Sequence, residues 1–87
     1  MAAPVKIICA EGQWTLVASS VVTGQVAPVI NDARYVHTYR DAGDAAPTVF
    51  DEGRRFTSAI PISARIGAPI DVYVWCQNAD GVVEVSL

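Results

Sequence analysis

The chain has 87 residues, 52% of them hydrophobic and 17% charged, with a mass of 9.2 kDa, a pI near 4.7 and a mean hydropathy of +0.31. That is room for one domain, spanning 1–87, too apolar for a disordered chain and without the ~18 consecutive apolar residues of a membrane span. Six Lys and Arg against nine Asp and Glu leave no large basic patch for nucleic acid, and one His with two Cys excludes most zinc sites.

Taken in chain order, the apolar stretch Ile7 to Ala10 is too short for a signal-peptide core, and no basic segment precedes it. The expectation is synthesis in a cytoplasm, with Cys9 and Cys76 as reduced core thiols. Val5 to Ala10 and Trp14 to Ser19 read as a first hairpin across Glu11-Gly12. Pro28 falls inside Gln25 to Ile30 and demotes it to an edge strand or loop. Arg34 to Arg40 alternates, with Tyr35, His37 and Tyr39 on one face and Arg34, Val36, Thr38 and Arg40 on the other. Phe56 to Ile60 and Ile62 to Ile66 read as two short strands interrupted at Pro61. The clearest strand is Ile70 to Gln77, where Ile70, Val72, Val74 and Cys76 form an apolar face and Asp71, Tyr73, Trp75 and Gln77 the other. Asp80-Gly81 then signals a hairpin into Val82 to Leu87. Turn signals between these runs include Asn31-Asp32 and Asp51-Glu52-Gly53. The sum is an all-β chain, a small antiparallel β-sandwich or partly open barrel of six to eight short strands.

Chemistry-bearing patterns are sparse. His37 is the only imidazole, and nothing near it in sequence completes a dyad or triad. Neither cysteine stands in a Cys-x-x-Cys or beside basic residues, and their separation says nothing about pairing. The acidic loops at Asp41 with Asp44 and at Asp51 with Glu52 lack the alternate-residue spacing of an EF-hand and are flanked by Arg40, Arg54 and Arg55. The reading is of a protein without catalytic residues, metal or cofactor. The aromatics carry more information. An outward-facing Tyr73 and Trp75 would suit protein contact or sugar stacking, whereas a covered face would make them core.

Three stretches carry a family likeness: Gly12-Gln-Trp-Thr-Leu-Val-Ala18; Tyr35-Val-His-Thr-Tyr-Arg40 followed by Ala45-Ala-Pro-Thr48; and Ile70-Asp-Val-Tyr-Val-Trp-Cys76 followed by Gly81-Val-Val-Glu-Val85. In these the chain resembles the small β-rich structural virion proteins of tailed bacteriophages, of the decoration, head-fibre or tail-associated type. The resemblance implies a non-enzymatic virion component, made in the host cytoplasm. Its partners would be copies of itself, with a trimer favoured, and a larger capsid or tail protein, with neither nucleic acid nor membrane among them. Trp14, Arg34, Tyr35, His37, Tyr39, Arg40, Tyr73 and Trp75 form the pool of contact anchors, because aromatics and Arg dominate interface energetics. The competing expectation is a carbohydrate-binding or adhesive module, with the same aromatics and Asp71, Asn78 and Asp80 to bond hydroxyls.

Overall fold

A computed structural model describes residues 4–29, 34–48, 53–77 and 79–87. Among these residues there are eight strands: β1 (Val5–Cys9), β2 (Trp14–Val21), β3 (Thr23–Pro28), β4 (Tyr35–Asp41), β5 (Arg54–Phe56), β6 (Ile60–Ser63), β7 (Ile70–Cys76) and β8 (Gly81–Ser86). They form two four-stranded antiparallel sheets, the first in the order β1-β8-β3-β6 and the second β2-β7-β4-β5. The chain is therefore all-β, a two-layer sandwich, and no helix occurs among the described residues. The Asn31-Asp32 and Asp51-Glu52 turns, Asn78 and Ile30 lie outside the described residues.

Period-two patterning sets the core. Ile70, Val72, Val74 and Cys76 of β7 face inward together, as do Val83 and Val85 of β8, and all six are buried. They meet Cys9, Val26, Tyr35, Phe56 and Ile62 from the flanking strands. The most completely buried side chains are Val26, Val74, Val83, Cys9 and Cys76. Small residues of this kind, the valines β-branched, suit a pleated surface and fill the narrow space between two sheets.

The connections depart from the sequence expectation. β1 does not pair with β2 across Glu11-Gly12; it pairs with β8, in register Val5↔Val85 to Cys9↔Gly81. β2 pairs with β7 in the other sheet. Nor is Asp80-Gly81 a hairpin turn, because β7 and β8 belong to different sheets. The four residues between Cys76 and Gly81 span at most about 14 Å of extended chain, enough to cross the ~10 Å between facing sheets. Local contacts at this crossing favour the arch. The Gln77 N–H donates to the Arg34 carbonyl at 2.9 Å, and the Glu11 N–H donates to Asp80 Oδ1 at 2.8 Å.

β2 and β3 make one bent strand that changes sheet. One residue, Val22, separates them. The bend follows two register shifts in β2 and a left-handed Ser20 at φ 52°, which is how sandwich corners are turned. β3 is a central strand, correcting the edge or loop expected at Pro28. Backbone parity explains the tolerance. The Val29 N–H bonds the Val82 carbonyl at 2.8 Å, so Pro28, one residue earlier, turns its nitrogen away from β8. On that other side, β6 pairs only with Thr23 to Val26, so no ladder bond is lost. Pro61, expected to interrupt two strands, sits within β6 opposite Gln25. The Ala64 N–H donates to Val22 at 2.7 Å, which by the same alternation turns Pro61's nitrogen outward from an edge strand.

Candidate functional site

The outer face of the second sheet gathers half of the expected anchors. Cross-strand register places Trp14 opposite Trp75 and Leu16 opposite Tyr73. On the other side of β7, Val36 stands opposite Trp75, Thr38 opposite Tyr73 and Arg40 opposite Asp71. The Trp14 and Trp75 rings meet edge to face, with centroids 5.5 Å apart at 71°, the arrangement that the ring quadrupoles favour. Both indoles are half-buried. Leu16 is 46% exposed and Tyr73 only 7%.

This face is partly covered by the chain itself. A Cβ built on Gly53 would fall 2.3 Å from Val36 Cγ1 and 2.6 Å from Trp14 Cη2. The end of the β4–β5 connection therefore lies directly on the outer surface, and only glycine permits that approach. What remains open is a strip of Leu16 and the flanks of the two indoles, bordered by exposed Arg55.

The other anchors lie elsewhere. Tyr35 belongs to the core. Its hydroxyl crosses the sandwich to β8, donating to the Val82 carbonyl at 3.1 Å and accepting the Val82 N–H at 3.2 Å. His37 and Tyr39 line an open inter-sheet cleft of about 170 Å³ with Ile60, Ile62 and Ile70. His37 stacks edge-on against Phe56 at 5.2 Å. Burial, and secondarily the Arg54 guanidinium, hold its imidazole below the usual range. Tyr39 is exposed, as is Arg34 just before β4.

The strand edges beside this cleft are blunted. β5 has three residues, two of them Arg; β6 carries Pro61; and Arg40 Nη1 donates to the Tyr39 carbonyl at 3.0 Å. Charged residues, proline and short length are the usual protection against strand addition. A partner on this side therefore has a face to meet and no long ladder to extend.

Two acidic groups that a sugar site would recruit are engaged. Buried Asp71 accepts the Ser20 N–H through Oδ1 at 2.8 Å and the Gly43 N–H through Oδ2 at 3.4 Å. Asp80 holds the Glu11 amide. Among the described residues, no group of three or more His, Cys, Asp or Glu is placed to hold a metal ion. Sequence alternation put Tyr73 and Trp75 together on one face of β7 and Arg40 on the face of β4 opposite Tyr35, His37 and Tyr39, without deciding which faces are covered; cross-strand register joins them with Trp14 on the outer face. Leu16, two residues after Trp14 and on the same face of β2, lies outside the expected anchors, because an aliphatic residue at that position reads equally well as core. Sequence reasoning also missed Asp71 as a structural clamp, for which no local signal exists. Comparison with protein-family models, curated proteins and solved structures found no match.

Proposed function

We propose that this protein is a non-enzymatic structural component of a tailed-phage virion, docking onto copies of itself and onto a larger capsid or tail protein through the outer face of its second sheet. The observation that carries the reading is the Trp14–Trp75 edge pair beside exposed Leu16 on one outer sheet face. Large aromatics half-open to solvent with an adjacent aliphatic make an anchor cluster of the kind that dominates protein interfaces. The likeness of the Trp14, Tyr35 and Ile70 stretches to small virion proteins supports the same reading. So does the blunting of the β5 and β6 edges, which favours contact by a face. The glycan alternative is the weaker one, since Asp71 and Asp80 already serve backbone amides.

The test is solution mass by light scattering coupled to size exclusion, from low to high micromolar. The expected result is a trimer or larger ring that Trp75→Ala and Leu16→Glu both dissociate. Loss of one such anchor weakens association by about 2 kcal/mol, roughly 30-fold in Kd. Leu16→Glu should leave the monomer's melting temperature nearly unchanged, because Leu16 is already half exposed. A wild-type monomer throughout the range would remove self-association from the reading, and a Leu16→Glu variant that stays assembled would remove this face.

A further inference from the structure

The two cysteines are 67 positions apart in sequence and belong to opposite sheets, yet the fold brings them together. Cys9 ends β1 and Cys76 ends β7, and each is 0% exposed. Both side chains lie in the same buried core cluster, and the Cys9 thiol donates to the Ile7 carbonyl at 3.9 Å. The backbone is pinched at the same place. Glu11, two residues after Cys9, forms an isolated bridge with Cys76, and the Gly12 N–H donates to the Cys76 carbonyl at 3.0 Å. Gly81, the register partner of Cys9, packs so closely that a Cβ there would fall 2.7 Å from Cys76 Sγ. The pair thus stands at a closed corner of the sandwich, where the two backbones approach one another, and not across its full thickness. Disulfides need such closeness, with Cα atoms within about 7 Å.

We propose that Cys9 and Cys76 close into a disulfide that staples β1 to β7 wherever the surroundings are oxidising. The oxidant is a low-molecular-weight disulfide. One cysteine thiolate attacks it, forming a mixed disulfide and expelling one small thiolate. The second cysteine attacks the protein sulfur of that mixed disulfide and expels the other. Two protein S–H bonds are lost, one S–S bond is formed, and the oxidant leaves as two thiols. The reaction is slow in the closed fold. Neither sulfur is accessible, and burial with the neighbouring Cys76 pushes the Cys9 thiol up to about 12, so thiolate is scarce near neutrality. β1 supplies the opening. It is an edge strand held in its sheet by β8 alone, and edge elements open locally more readily than central ones. The staple does not depend on the virion reading.

The experiment uses the full chain, reduced, then carried through an unfolding and refolding cycle with oxidised glutathione. Remaining thiols are alkylated, and the protein is analysed by intact mass and non-reducing peptide mapping. The expected result is a loss of two hydrogens, no alkylation and a Cys9–Cys76 cross-linked peptide. The melting temperature should rise by roughly 10–20 °C, because the bond closes a long loop of the unfolded chain. Reduction should reverse the rise, and Cys9→Ser should abolish it. Without the cycle, the same oxidant should act far more slowly on the native protein, and faster as pH rises. Two alkylated thiols after the cycle, a stable glutathione adduct, or a cysteine-linked dimer would overturn the proposal. If Cys9→Ser does not fold, the peptide map of the unmodified sequence decides alone.

Discussion

Gly81→Ala is the sharpest probe of how the two sheets meet. Gly81 has no left-handed backbone angle to justify its presence. Its reason is space. An added methyl would lie 2.6 Å from Tyr35 Cε1, 2.7 Å from Cys76 Sγ and 3.0 Å from Tyr35 Cζ. Unstrained carbon contacts stand at about 3.5–4.0 Å, so the ring and the sulfur must both retreat by about 1 Å. The ring cannot retreat freely, because its hydroxyl is bonded to both backbone groups of Val82 and it packs at a tilt of 42° against Phe56, with ring centroids 5.6 Å apart. Overpacking costs about 1–3 kcal/mol, and losing the hydroxyl contacts adds about 1. The expected loss is therefore about 3 kcal/mol, a large share of a stability of roughly 5–15 kcal/mol. The melting temperature should fall by roughly 12–24 °C. Gly67→Ala is the control. Nothing lies within 4 Å of its Cβ position, and its backbone angle is ordinary. It should be neutral or gain a few tenths of a kcal/mol from a less flexible unfolded chain. Urea titration monitored by tryptophan fluorescence, with the slope checked for constancy, measures both. If Gly81→Ala lies within about 0.5 kcal/mol of the unaltered chain, the tight junction of Tyr35, Cys76 and Gly81 is not what holds this end.

Asp71→Leu should cost about 2–3 kcal/mol, since it strands the Ser20 and Gly43 amides that a carboxylate now accepts. Asp71→Asn keeps one acceptor and should cost about half as much; equal losses in the two variants by urea titration would refute the clamp. His37 yields a pH dependence. Its folded-state affinity for a proton is lowered, by burial first and Arg54 second, so the unfolded chain binds the proton more readily. Stability is then full above the unfolded value near 6.5 and declines as pH falls below it, levelling off beneath the folded value. Melting curves from pH 7.5 to 5 should show this slope, and His37→Gln should remove it; an unchanged slope would assign it to other groups.

The fold class was legible because period-two alternation is a property of each strand alone. Ile70 to Cys76 and Gly81 to Ser86 show their inward faces in the sequence, and the structure buries those faces. Pairing was not legible at Glu11-Gly12 or Asp80-Gly81. A hairpin and an inter-sheet arch use the same turn residues, and which one forms depends on where the distant partner strand lies. Here Gly81 serves close packing, although in sequence it looks like a turn glycine. The candidate site was half legible. Alternation put Tyr73 and Trp75 on one side of β7, but their exposure depends on the β4–β5 connection, whose Gly53 lies against Val36 and Trp14. The meeting of Cys9 with Cys76 had no sequence signal, because the corner that joins them is made by Glu11 and Gly12 bonding to β7.

Among the described strands, six of the seven connections pass from one sheet to the other, and only β4 and β5 are neighbours both in sequence and in a sheet. No other consecutive strand pair can satisfy its backbone bonds by itself. Each sheet therefore completes its ladders only when the other is in place, which makes the fold dependent on distant contacts and its cooperativity high. Side chains then close the ends of the sandwich, where hairpins would otherwise do so. At one end, Tyr35 bonds Val82, Asp80 bonds Glu11, and Cys9 meets Cys76. At the other, Asp71 ties the bend at Ser20 to the turn at Gly43. On the outer face of the second sheet Val36, Tyr73 and Asp71 are buried as well, so only part of that face is free of the folding burden. Leu16 and the rims of Trp14 and Trp75 are that open part, and a charge at Leu16 should therefore separate the proposed association from stability where a change at Gly81 or Asp71 cannot.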